Sequence, residues 1–394
     1  MGDEKERILD MVEKGTITAQ EAVELLKAMD SKQDPPVMDA YGGRSEYRER
    51  QGRSKFGPDD FVRKLAKDFS RDFSRDFSKE FKRDYSKDFN QFGDKMMRFM
   101  QESFGKLKNM DFESPLGEAV TFTQTFSEEN AEVEEIIVDI SNGQLEVFPL
   151  PGNEVKAECV VKAYRAESEA QAKQDFFEKF VFVADGRKVR IISDLKTTQV
   201  NLVLYVPEKD YELLTARLFN GGFTMKRLNV GKLRVKTANG KIEVKDGTVQ
   251  DAELETANGA IQVQEMAAGE LEAETFNGRV YIDGDMESVE AKSLNGNVVV
   301  TTRSDKARKI EAKTVAGNVE IYVPKHLPLK GEVTSNLGRM DVYLEDAERV
   351  HETEQLLQKS IKFTKNTEAD SEIPLLVFGE TKTGSILVRY FTAE

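Results

Sequence analysis

The chain has 394 residues, with 57 Lys/Arg against 71 Asp/Glu and a formal charge of −14. That balance argues against a general nucleic-acid binder, which needs a basic surface to meet phosphates. A single cysteine (Cys159) and two histidines (His326, His351) exclude an intrachain disulfide, a cysteine zinc site and a histidine-rich metal centre, so no cofactor or metal is expected.

The N-terminus is charged from its third residue and carries no apolar signal core, no stretch approaches 18 apolar residues, and the C-terminal residues are not a sorting signal. The expected location is the cytoplasm, with peripheral contact at a membrane and surface exposure left open. Residues 1–30 read as a helical hairpin. Ile8, Leu9 and Val12 recur at helical spacing up to Gly15, Thr18 and Glu21 form a capping-box pair, and Ala22, Leu25, Leu26 and Met29 share a face. Such a hairpin is too small to bury a core alone. Residues 31–58, with Pro35-Pro36, Gly42-Gly43 and a mixed-charge run, read as a disordered linker.

Residues 59–110 carry a tetrad repeat of the type Phe-Ser-Arg-Asp. Phe69, Phe73, Phe77, Phe81, Tyr85 and Phe89 fall every four residues, and Asp68, Asp72 and Asp76 each precede Arg71, Arg75 and Lys79 by three. Acid before base at that spacing supports a long helix by about 0.2–0.5 kcal/mol per pair. Four residues exceed one helical turn, so the aromatic stripe drifts by roughly 40° per tetrad and winds around the helix. With 13 basic and 10 acidic residues this zone is locally positive. The aromatic positions, with Arg71 and Arg75, are therefore candidates for contact with an anionic membrane surface or a partner. The competing reading is a charge-laced helix packed on a copy of itself or on the rest of the chain.

Residues 115–394 read as a repetitive β domain. Asn-Gly pairs begin at Asn220, Asn239, Asn258, Asn277 and Asn295, at intervals of 19, 19, 19 and 18, and the series continues at Ala316-Gly317 and Asn336-Leu337-Gly338. Two residues before each pair from Asn239 onward stands a small hydroxyl: Thr237, Thr256, Thr275, Ser293, Thr314 and then Thr334. Apolar residues follow at +3 and +5, as at Ile242 and Val244. A fixed period with two short strands per period implies stacked rungs that bury a continuous core, a mainly β, single-stranded β-solenoid (β-helix). Tyr205-Val206-Pro207 and Tyr322-Val323-Pro324 stand 117 residues apart, about six such rungs. The Asn and hydroxyl positions would form ladders at about 4.8 Å spacing, with Asn and Gly supplying left-handed turn conformations. A meander of hairpins is the alternative fold, because Asn-Gly also favours tight hairpins. Before the rungs, strands are expected at 136–140, 145–148, 155–163 and 189–192, with a helix at 168–180. A second helix is expected at 349–359 and a last strand at Ile386, Val388 and Tyr390.

No constellation points to catalysis. Cys159 sits on the apolar side of a strand, His326 in a turn and His351 in a polar helix, and the repeated acids occupy outward positions that solvation explains. The start, EKERILDMVEKGTITAQEAVELLKAMD, resembles the N-terminal helical module of the YvlB/LiaX group of Firmicutes, and rungs such as TANGKIEV and TFNGRVYI resemble the adhesin-type β-solenoid domain found with it. The resemblance implies a non-enzymatic role in the cell-envelope stress response and supplies no catalytic residues. The expected mechanism is binding: a stiff surface with 34 basic against 49 acidic residues over 109–394 meets a cationic antimicrobial peptide or a membrane-associated partner. Two other classes stay open, a self-associating scaffold or filament and an enzyme acting on glycans.

Overall fold

The computed structural model describes Arg98 and residues 119–392, apart from 130, 131, 165, 356–357 and 367–372. The helical hairpin, the linker and the Phe/Arg/Asp repeat fall outside the described residues. The described chain is almost entirely β. The entry part comprises β1 (Val120–Glu128), β2 (Glu135–Asn142), β3 (Leu145–Leu150), β4 (Val155–Ala163), helix α1 (Glu169–Lys179), β5 (Phe180–Asp185), β6 (Lys188–Ser193) and β7 (Thr198–Pro207). The repeat follows as β8 (Asp210–Asn220), β9 (Phe223–Lys226), β10 (Asn229–Asn239), β11 (Ile242–Asn258), β12 (Ile261–Asn277), β13 (Val280–Asn295), β14 (Val298–Thr302), β15 (Lys309–Ala316) and β16 (Val319–Val323). Last come β17 (Leu329–Ser335), β18 (Met340–Tyr343), β19 (Glu348–Gln355), β20 (Gln358–Lys365), β21 (Leu375–Thr381) and β22 (Ile386–Tyr390).

Neighbouring rungs pair in parallel and in register. Ile242 faces Ile261, which faces Val280, and Thr256 faces Thr275, which faces Ser293. Each rung has a short stretch on one face, a corner, a longer stretch on the other face, and the Asn-Gly turn. The result is an open, β-solenoid-like stack in which β11, β12 and β13 each run through both faces. On the longer face the pairing order is β5–β6–β2–β8–β10–β11–β12–β13–β15–β21–β17–β20–β19. The shorter face runs β1–β4–β7–β3–β9–β11–β12–β13–β14–β16–β22–β18. A parallel rung that returns every 19 residues cannot be a hairpin meander, whose neighbours are antiparallel.

The core is the set of inward positions that this period repeats. Ile242, Ile261, Val280, Val298, Val319 and Ile386 form one buried column on the shorter face. Across the core, Leu254, Ala273, Ala291 and Ala312 form a column on the longer face that is small where the opposite side is branched. Each fully buried Val or Ile contributes about 1.5–3 kcal/mol. The corner is made by Arg227, Asp246 and Glu265, all at φ between 51° and 56°. In the next rung β13 lacks a residue opposite Glu265, since Gln264 pairs with Asp283 and Met266 with Gly284. That deletion accounts for the interval of 18.

The stack is not in chain order. The layer formed by β2 and β3 lies between those of β6–β7 and β8–β9, and the layer formed by β21 and β22 lies between β15–β16 and β17–β18. After Ala316-Gly317 the next turn is therefore Thr383-Gly384, and only then Asn336-Leu337-Gly338. Between the two Tyr-Val-Pro segments the extra β3 layer makes seven steps of the stack, although six follow in sequence.

Three other expectations are corrected. The 349–359 stretch is not a helix: β19 and β20 form an antiparallel hairpin, and β20 closes the edge of β17. Ile361 and Phe363 alternate inward on β20, a period that only a strand satisfies. The hydroxyl serving the Asn336 turn is Ser335, which donates to Gly384 O at 3.1 Å, not Thr334. The turn glycines also have a different reason. A Cβ at Gly221, Gly240, Gly259 or Gly278 would collide with a backbone carbonyl oxygen of the preceding layer's turn glycine. Of the five turn glycines from Gly221 to Gly296 only Gly296 has φ between +20° and +160°, and no turn asparagine does. Close approach between layers, not left-handed backbone, selects glycine there.

At the beginning of the stack, α1 is capped by Ser168, whose Oγ accepts from Gln171 N at 3.2 Å. Its Phe176 packs edge-on against Phe122 at 5.6 Å, and Phe126 stacks on Phe180 and Phe182. This aromatic cluster covers the first layers.

Candidate interaction surface

The turn residues form two ladders. Asn239 Nδ2 donates to Asn220 Oδ1 at 2.9 Å, Asn258 to Asn239 at 2.9 Å, Asn277 to Asn258 at 2.8 Å and Asn295 to Asn277 at 2.9 Å. All five are exposed. Beneath them, buried Thr237, Thr256, Thr275, Ser293 and Thr314 donate through Oγ to Gly221, Gly240, Gly259, Gly278 and Gly296 carbonyls at 2.8–3.1 Å. Thr381 makes the same bond to Gly317 O at 2.8 Å, and Asn142 stands opposite Asn220. The sequence reading missed these last two; the Thr-x-x-Gly spacing of Thr381 and Gly384 was the available signal. The ladders satisfy turn carbonyls and present an amide ridge, and they bring no reactive group together.

The remaining sequence candidates are dispersed. Cys159 is buried on β4, and burial pushes its thiol up to about 12, far from a reactive thiolate. His326 Nε2 lies 2.9 Å from Asp305, both well exposed. His351 is on β19. Phe69, Phe73, Phe77, Phe81, Tyr85, Phe89, Arg71 and Arg75 lie outside the described residues. No helix among the described residues is long and apolar enough to cross a membrane.

The chemically dense region is the outward side of the longer face, where register places charges in rows across the rungs. One row runs Arg234, Glu253, Glu272, Glu290, Glu311. The next, nearer the Asn ridge, runs Asp139, Arg217, Lys236, Glu255, Glu274, Lys292, Lys313, Glu380, with signs that change in pairs. Four basic side chains hold the acids. Arg234 grips Asp251 through two hydrogen bonds of 2.9 and 2.7 Å and reaches Glu253 at 3.1 Å. Lys292 meets Glu274 at 2.7 Å, Glu290 in close contact, and Glu272 at 4.0 Å. Glu311 accepts from Lys309 at 2.5 Å and from Lys313.

Sequence reasoning left these acids to solvent, and the structure corrects that: Glu255 and Glu274 are 5% exposed and Lys292 and Lys313 4%, although all four point away from the core. Burial competes with ion pairing on this face. It pushes Glu253 up to about 8, with Glu255 adding to the effect and Arg234 opposing it. Glu274 is likewise driven up by burial, against the pull of Lys292. Burial also works against the charge on Lys292, but Glu274 and Glu290 overcome it and hold its pKa above the usual lysine value. Glu311 goes the other way: burial would raise it, yet its bonds to Lys309 and Lys313 bring it to about 2. The carboxylates of Glu272, Glu274 and Glu290 lie within 4.8 Å of one another, a spacing that a cation could bridge. The Lys292 ammonium already takes that part.

Residues 170–372 match the family model described as Toastrack DUF4097, and residues 3–34 match a SHOCT-like domain. Neither description names a reaction. A Bacillus subtilis (strain 168) protein named uncharacterized protein YvlB is 33% identical over 390 residues, 99% of both chains. Crystal structures of adhesin-like proteins from Parabacteroides merdae and Parabacteroides distasonis are 10% and 11% identical, cover 70% and 69% of this chain and 97% and 98% of their own, and give a TM-score of 0.34 each. By the family match over half its length and the relative over nearly all of it, the chain belongs to the Toastrack (DUF4097) family.

Proposed function

We propose that this protein is a non-enzymatic binding protein of the cell-envelope stress response. Its stack offers a stiff, acid-rich surface to a cationic antimicrobial peptide or a basic membrane-associated partner. The observation that carries the reading is the acidic row Glu253, Glu272, Glu290, Glu311, fixed on parallel strands where no loop movement can disperse it. Acids in excess of their basic partners on a rigid support attract a polycation at long range and release it in salt. The Phe/Arg/Asp repeat supplies the second contact, to an anionic membrane surface or to a protein on it.

Two measurements test this. A labelled cationic amphipathic peptide should bind the full-length chain with an affinity that falls in salt and drops about tenfold when Glu272→Lys is combined with Glu270→Lys, the exposed acid two residues before it on β12, a loss of about 1.4 kcal/mol. Equal affinity for both proteins refutes the surface. Deleting residues 59–110 should abolish co-sedimentation with anionic vesicles, and unchanged sedimentation refutes the membrane role of that segment.

The second reading is a scaffold built by end-to-end association. It is favoured by β18, which among the described residues pairs only with β22, and by Leu337 before it and Tyr343 at its end, 75% and 62% exposed. Light scattering over a concentration series separates the two, since a monodisperse monomer removes the scaffold.

A further inference from the structure

Asn-Gly steps stand in the described layers at Asn142, Asn220, Asn239, Asn258, Asn277 and Asn295. The ladders bring no separate groups together, but each such step carries an electrophile and a nucleophile of its own. The electrophile is the side-chain amide carbon. The nucleophile is the main-chain nitrogen of the next residue, and glycine has no side chain to shield it. Asparagine is thermolabile for this reason, and most of all before glycine.

The fold holds the glycine nitrogens alike. Gly143 N donates to Asn220 O at 2.8 Å, Gly221 N to Asn239 O at 2.8 Å, Gly240 N to Asn258 O at 2.9 Å, Gly259 N to Asn277 O at 3.0 Å, Gly278 N to Asn295 O at 3.1 Å and Gly296 N to Ala316 O at 2.9 Å. The side-chain amides are not held alike, because the ladder has a direction. Asn239, Asn258 and Asn277 each donate through Nδ2 to the layer before and accept at Oδ1 from the layer after. Asn295 donates, but Ala316 opposite it offers no side-chain donor. Asn142 is half-buried, with Nδ2 3.4 Å from Lys196 O. Exposed Asn220 accepts from Asn239, and its Nδ2 has no hydrogen-bond partner among the described residues. Of these six steps it alone has a bonded carbonyl oxygen and a free amide nitrogen.

We propose that Asn220 is a site of spontaneous deamidation in the folded protein. Gly221 N gives its proton to hydroxide, attacks Asn220 Cγ and forms a new C–N bond. Negative charge develops on Oδ1, where the Asn239 amide already donates. The Cγ–Nδ2 bond then breaks, and the nitrogen takes a proton from water and leaves as ammonia. A second water adds to the cyclic imide and opens it to aspartate or isoaspartate. Water enters, ammonia leaves, and nothing is oxidised or reduced. The aspartate fits its place: the ladder asks position 220 only to accept, and Asn239 then donates to a carboxylate, a stronger bond. At Asn239, Asn258 and Asn277 the departing nitrogen must also give up its bond to the preceding layer.

This site is independent of the binding reading, and its test involves no external ligand. The unsubstituted full-length chain is kept folded in mildly alkaline buffer, digested at intervals, and the conversion at each asparagine read by mass spectrometry. Conversion at Asn220 should run at least about fivefold ahead of that at Asn239, Asn258 and Asn277, the worth of one hydrogen bond. In denaturant the lead should vanish. Even conversion along the folded ladder, or none at Asn220, overturns the proposal. A lead that persists in denaturant overturns it because the fold is then not the cause. Conversion led by Asn295 overturns it because the amides then run the other way, and conversion led by Asn142 overturns it because the ladder then does not select the site. Asn220→Ala should remove most of the early ammonia released by the folded protein, and unchanged release overturns the proposal.

Discussion

At Gly259 there is no room for a methyl group, because the carbonyl of Gly240 lies where the Cβ would go. Gly259→Ala must separate two layers, and about 3 kcal/mol or more of stability should be lost, read as a shift in the denaturant midpoint. Thr275→Val removes the donor to Gly259 O from a fully buried position and should cost about 1–2 kcal/mol, whereas Asn258→Ala in the exposed ridge should cost less than about 1 kcal/mol. An equal loss for the two would mean that the ridge, not the buried hydroxyl, ties the turns together. Glu311 gives a pH prediction. Its folded pKa of about 2 lies below the ordinary 4.5, so its stabilisation is present above 4.5 and disappears as pH falls toward 2. Glu311→Gln should lower stability at neutral pH and flatten the acid limb in that window. An unchanged acid limb would show that Lys309 and Lys313 do not bind the carboxylate. The Asn, Gly and Thr positions were legible in sequence because each recurs at one interval. Their physical reason was not, since close approach between layers is invisible in a local motif.

At the scale of elements, the rungs were readable because inward and outward residues alternate with a fixed return. The hairpin of β19 and β20 was not, because its sequence is rich in Glu, Gln, Leu and Lys, good helix formers whose preference is overridden by the open edge of β17. The outward charges were misread for a related reason: sequence gives the side of the sheet, not what lies over it. Replacing Ile361 and Phe363 by Ser should uncover that edge, with the expected outcome a concentration-dependent increase in particle size by light scattering. A variant that stays monodisperse would show that β17 is protected by other means.

At the scale of the whole molecule, the interleaved order decides how the stack fails. Removing residues 373–394 deletes β21 and β22, the layer joining β15–β16 to β17–β18. Hydrogen exchange should then show β17 to β20 losing protection together with the deleted strands. If only the immediate neighbours loosen, the far end of the stack holds itself. Period and turn spacing could not reveal this, since they fix which residues are layers and not which layers touch.

The same interleaving bears on the birth of the protein. A ribosome releases β17 to β20 before the strands that must lie beneath them, so the far end of the stack has no floor to settle on until β21 and β22 are out. Those strands wait with open edges during synthesis, and that interval is when a stalled or clipped nascent chain is exposed to aggregation.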